Sequence, residues 1–128
     1  MAYEIIFDKS ISTFIIRIAG KITEQDVIDC FQNYDKLVEE NFHDKKFSII
    51  INVDEEAHRS IAVLRRIRFS LENQKHREYI ENVVAVNENP MTVAARNANP
   101  DPVLPFFLNE PEAKQYIATK IQNKREPI

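Results

Sequence analysis

The sequence predicts one α/β domain built on a mostly parallel sheet with a single antiparallel edge strand. Three observations lead there. Short runs rich in Ile, Val and Phe alternate with helical periodicities, only the first two runs follow one another without a helix between, and Gly20 is the one glycine in the chain. Strands that alternate with helices are the mark of βαβ units, whose crossovers enforce parallel pairing.

Tyr3–Phe7 and Thr13–Ala19 are separated by the polar stretch Asp8–Ser12 and form an expected hairpin. Gly20 then turns the chain out of the sheet, a bend that a residue without Cβ makes cheaply. Thr23 caps the first helix, with Glu24 and Asp26 at the positive end of its dipole. Val27, Phe31, Tyr34 and Val38 recur at helical spacing, and Cys30, Leu37 and Phe42 widen that stripe. The apolar run Phe47–Val53 reads as a strand covered on both faces. A second helix begins between Glu55 and Ile61 and continues to about Lys75, with Val63, Leu64, Ile67 and Leu71 facing inward.

Ile80–Val86 is the next covered strand, and Asn89-Pro90 opens a third helix with Asn as cap and Pro at the first helical position. Pro100, Pro102 and Pro105 break the segment Asn97–Pro105, so the last strand lies within Val103–Leu108, after Pro105. Asn109 with Glu112 starts a final helix whose apolar face is Ala113, Tyr116, Ile117 and Ile121. Lys124–Ile128 is expected to fray. The order is therefore β-β-α-β-α-β-α-β-α over a single domain, 1–128, with an ordered core over about 3–122.

Composition bounds the function. With 128 residues, 44% hydrophobic and 29% charged, the chain needs no metal or disulfide staple. A lone cysteine fits a reducing compartment, and Met1–Phe7 reaches Asp8 without a basic start or a long apolar core. A cytoplasmic location is the expectation, with no secretory signal. No apolar run approaches the ~20 residues that a membrane-spanning helix needs. Phosphate-cradling and dinucleotide loops need several glycines, so one glycine excludes them in their usual forms.

The element order, the step Ala19-Gly20-Lys21-Ile22-Thr23, the strand Phe47–Val53 ending in Asp54, Val83–Val86 with Asn87–Pro90, and the closing Phe106–Ile117 together resemble the STAS domain in its SpoIIAA-like, anti-sigma-factor-antagonist-like form. The resemblance spans about Tyr3 to Ile121, and its divergent stand-alone members are the nearest in kind. It implies a regulatory module that works by binding rather than catalysis. It further implies a phosphorylated serine in an Asp-Ser-Ser-Gly turn before the second helix. Here that region reads Asp54-Glu55-Glu56-Ala57-His58-Arg59-Ser60-Ile61, so Ser60 is the candidate phosphorylation site.

No convergent catalytic set is legible, so an enzyme is not expected. His43, His58 and His76 are scattered, and Asp54 with His58 supplies two groups where a catalytic zinc wants three; neither a metal nor a cofactor is expected. The ends of the strands offer Asn52, Asp54, Asn87 and Asn89 as a candidate ligand rim, because ligands of open parallel sheets sit there. Asp54 and Asn89 are equally well explained as helix caps.

The second helix carries the strongest signal. From His58 to Arg77 the residues Arg59, Arg65, Arg66, Arg68, Lys75 and Arg77 face only Glu72, a surplus of five positive charges in a chain of net charge −3. Phe69 falls outside the inward stripe, between Arg65 and Arg66 on the helical wheel. An outward aromatic flanked by arginines has the composition of an interface anchor. The expected partner is an acidic protein or a second copy of the chain, met through Arg59, Arg65, Arg66, Arg68 and Phe69. Nucleic acid is not expected, since the chain is acidic overall and presents no row of stacking aromatics. The second expectation is a carrier or sensor of a small apolar, lipid-like ligand held under the Pro100–Pro105 loop.

Overall fold

The protein is represented by a computed structural model that describes residues 3–41, 45–98 and 104–125. His43, Phe42, Pro100, Pro102, Val103 and the last residues of the chain lie outside that range. Within it the chain is α/β. The elements are β1 (Tyr3–Asp8), β2 (Thr13–Ile18), α1 (Glu24–Asn41), β3 (Phe47–Val53), α2 (Glu55–His58), α3 (Ile61–Glu72), β4 (Ile80–Val86), α4 (Pro90–Asn97), β5 (Phe106–Phe107) and α5 (Glu110–Arg125). The sheet runs β1-β2-β3-β4-β5, with β1 antiparallel to β2 and every other pair parallel.

Strand order equal to chain order means that the sheet grows in one direction only. Crossovers of one hand then place their helices on one face. α1 and α3 accordingly bury Val27, Cys30, Phe31, Tyr34, Val38, Val63 and Ile67 against Phe14, Ile16, Ile18, Phe47, Ile49, Ile51 and Val53. The opposite face receives α5, which sets Ala113 and Ile117 on Ile15, Ile50, Val84 and Val86. Alternate residues of β2 and β3 thus enter two different cores, which is why both strands read as nearly continuous apolar runs.

Local chemistry fixes the ends of the elements. Gly20 has φ +73°, in the left-handed region that favours glycine. Thr23 and Asp26 form a reciprocal cap on α1: the Asp26 amide donates to Thr23 Oγ1 at 3.1 Å, and the Thr23 amide donates to Asp26 Oδ2 at 3.0 Å. Asn109 Oδ1 accepts the Glu112 amide at the start of α5. The second helix expected from the sequence is α3, which starts at Ile61, the late limit of the expected range, and a separate turn, α2, precedes it. The chain leaves helical geometry at Ser60 (φ −87°, ψ 110°), whose hydroxyl oxygen accepts the Val63 amide and starts α3 afresh. The sequence left that start open because a short polar turn and the first turn of a helix share one composition.

One polar network joins the sheet to α5. Glu110 takes two hydrogen bonds from Arg17, at 2.8 and 2.7 Å, and a third from Asn52 Nδ2 at 2.7 Å; Arg17 also reaches Glu4. These donors, Arg17 foremost, hold the Glu110 carboxyl below its ordinary range against the opposing effect of burial.

The core of α1 contains two polar atoms of opposite consequence. Burial alone pushes the Cys30 thiol up to about 12, so it stays protonated and behaves as a small apolar side chain. The Tyr34 hydroxyl is buried without a hydrogen-bond partner among the described residues, while its ring packs edge-on to Phe14 and Phe31. An unmet buried hydroxyl costs about 1–3 kcal/mol. Tyr34→Phe is therefore expected to stabilise the fold by about 1 kcal/mol, which thermal or urea unfolding would register as a raised midpoint. A lowered midpoint would mean that the hydroxyl is satisfied.

Candidate functional site

The carboxyl ends of the strands are occupied by structural hydrogen bonds. Asp54 Oδ1 accepts the Ala57 amide at 2.9 Å and Oδ2 accepts the Gly20 amide at 3.0 Å, which ties the exit of β2 to the start of α2. Asn87 is 0% exposed. Its Nδ2 donates to the last carbonyl of β3 at 2.9 Å, its Oδ1 accepts the Asn89 amide, and its own amide donates to the Phe107 carbonyl. Asn89 caps α4 through the Met91 amide and donates to Glu55, which also accepts from Thr92. Asn52 points to the other face, to Glu110. The four candidate rim residues are therefore not gathered around one opening.

The concavity lies along the sheet instead. α3 packs Val63 and Ile67 on β3 and leans on α1, and the neighbouring surface of β4 and β5 is left open beside it. A groove of about 620 Å³ results. Leu64, Ile67 and Leu71 of α3 form one wall, and Ile51, Ile80, Val83, Ala85 and Phe106 form the floor. A register shift in β4 opposite Phe47 and Ser48 helps to build that floor: Ile80 pairs with Phe47 and Asn82 with Ser48, so Ile80 and Val83 come to the same face although three residues apart. Around the rim stand His58, Arg65, Arg68, Glu72, Arg77 and Arg96.

The basic residues of α3 divide between the groove and the outer face. Arg68 pairs with Glu72 at 3.0 Å, one turn away, both largely exposed and so weakly coupled. Arg65 is exposed and forms no ion pair among the described residues. Arg66 is half-buried, with its guanidinium 5.4 Å from the centre of the Phe69 ring. Phe69 is 57% exposed and Ile61, two turns before it, is 66% exposed. Arg59 closes α2 and is exposed outside the groove. Ser60 is half-buried as the cap of α3.

Sequence reasoning missed the groove, Arg96 and the exposure of Ile61. No single segment signals the groove, since it depends on how far α3 reaches across the sheet. Arg96 lies on α4, a helix with no unusual composition, and comes to the rim only because α4 packs beside β5. Among the described residues no three His, Cys, Asp or Glu side chains converge in a way that could hold a metal ion, and no helix is long and apolar enough to cross a membrane. No protein-family model matches the chain, and no curated protein or solved structure matches it.

His58 is the titratable rim group best placed to report on the groove. Its Nε2 lies 3.5 Å from Arg96 Nη2. Burial first and the Arg96 charge second hold it below the ordinary histidine value of 6.5, and Glu55 opposes them. The unfolded chain then binds the proton more readily than the folded one. The resulting stability is complete above about pH 6.5 and is lost as the pH falls towards the depressed value. A proton-NMR titration should place the His58 midpoint below 6.5, and Arg96→Ala should raise it. A midpoint at or above 6.5 in the native protein would refute this account of the rim.

Proposed function

We propose that this chain is a non-enzymatic regulatory or scaffolding module of the STAS-like kind that recognises an acidic protein partner through α3. The observation that carries the reading is Phe69, more than half exposed, with the Arg66 guanidinium stacked on its ring and Arg65, which has no ion pair among the described residues, one turn away. Stacking holds both side chains in place before any partner arrives, so less side-chain entropy is lost on binding. Burying the Phe69 ring in a partner is worth about 1.5–3 kcal/mol, the scale of an interface hot spot. The surplus of positive charge from His58 to Arg77 gives such a partner a direction of approach.

The one-directional strand order and the brief turn ahead of Ser60 support the STAS-like reading. Ser60 is the candidate switch within it. A phosphate on that cap would meet the positive end of the α3 dipole next to Arg59, altering the charge of the recognition helix without burying it.

The double variant Phe69→Ala with Arg66→Glu should weaken association with the acidic partner recovered from the protein's own cells at least tenfold. Raised salt should weaken the wild-type complex as well. Unfolding midpoint and circular dichroism should stay near wild type, since both side chains lie outside the core. Retained association in the folded double variant would overturn the proposal.

A further inference from the structure

The charges around the groove are unequally engaged along its length. At the end nearest the carboxyl termini of the strands, Arg65 has no ion pair among the described residues. Arg96 has no carboxylate there either: its guanidinium lies over the Phe106 ring, 5.9 Å from the centre, with His58 as its polar neighbour. Burial and Arg96 both favour the neutral form of His58, against the nearby Glu55 charge, and among the described groove-lining residues that end carries two guanidinium charges and no carboxylate. Towards the other end stands Glu72, the one carboxylate among the described groove-lining residues: it pairs with Arg68, and Arg77 Nη1 donates to its backbone carbonyl at 3.1 Å. Between the two ends the surface is apolar, with Leu64 and Ile67 facing Val83 and Ala85.

An apolar trough with uncompensated positive charge at one end complements an elongated molecule with one anionic head and an apolar tail. We infer that the groove binds an alkyl-chain anion, a fatty carboxylate or its phosphate counterpart. The head meets Arg65 and Arg96, and the chain lies along Leu64 and Val83. The dimensions agree. Sites for small ligands enclose about 300–1,000 Å³, and this groove encloses about 620 Å³. The twelve residues of α3 extend about 18 Å at the helical rise, long enough to flank an extended alkyl chain. An acidic peptide helix would use charge along the whole lip, whereas here Glu72 offsets the far end and the positive surplus is greater at the Arg65 and Arg96 end. Guanidinium suits either head, because its planar fork matches carboxylate and phosphate oxygens alike.

The test is calorimetric titration of the purified full chain with dodecanoate and with dodecyl phosphate, each below its micelle-forming concentration. Dodecyltrimethylammonium serves as a cationic control of equal chain length. Saturable binding of one anion per chain is expected, with the cationic amphiphile at least tenfold weaker. Combining Arg65→Ala with Arg96→Ala should weaken anion binding at least tenfold. Arg65→Gln alone, at an exposed position, provides the smaller shift in the same direction if the double variant folds poorly. Phe69→Ala should leave anion binding unchanged, because that ring does not line the groove; failure here and failure of the α3 partner surface are therefore separate results. The ratio of the two anion affinities identifies the head. No saturable binding of either anion, equal binding of the cation, or full binding by the folded arginine variants would each overturn the inference, as would preferential saturation by an acidic amphipathic peptide.

Discussion

The sheet's growth in a single direction is the constraint on which the rest of the structure depends. Each strand after the first hairpin is laid beside its predecessor on the same side. The order never reverses, so the fold has no switch point, the place where two helices splay to opposite faces and open a crevice above the strand ends. The strand ends are closed by Asp54 and Asn87, which spend their hydrogen-bonding capacity on neighbouring backbone. One-directional growth also crowds α1 and α3 onto one face. α3 stops short of α4, which packs beside β5, and the gap between them over β4 is the groove.

Two kinds of polar group accordingly divide the molecule. Those on the inner elements, Asn87 and the Arg17–Glu110–Asn52 set, are consumed in joining strand to strand or sheet to helix. Burial makes their loss costly, because a removed partner leaves the other unsatisfied. Those on the outer surface of α3 and the near end of α4 have little to hold together. Their arginines stack on Phe69 and Phe106 or stand open to solvent, and the proposed recognition rests on them.

Much of the fold was legible because it is written in local signals. Strands β2 and β3 appeared as apolar runs, α1 as a stripe from Val27 to Val38, and α4 as an Asn-Pro start, each set by neighbours a few residues away. The break at Ser60 was not legible, since Asp54-to-Arg59 and a longer helix offer the same residue types and only the backbone angles separate them. The outward position of Phe69 could be computed from helical spacing alone. The groove could not, because Leu64, Val83 and Arg96 come from three separate elements and their meeting is a property of the packed sheet. Asn52 shows the same limit in reverse: its position at the end of β3 was plain, but which face it served depended on the register with β2.

Cys30 has a practical corollary. It is the single thiol in the protein and lies wholly buried where α1 meets the sheet. Thiol reagents attack the thiolate, and here both access and ionisation are withheld until α1 lifts away. The rate at which such a reagent consumes Cys30 is thus a clock for the detachment of one helix, built into the native sequence and readable without adding any label of the experimenter's own.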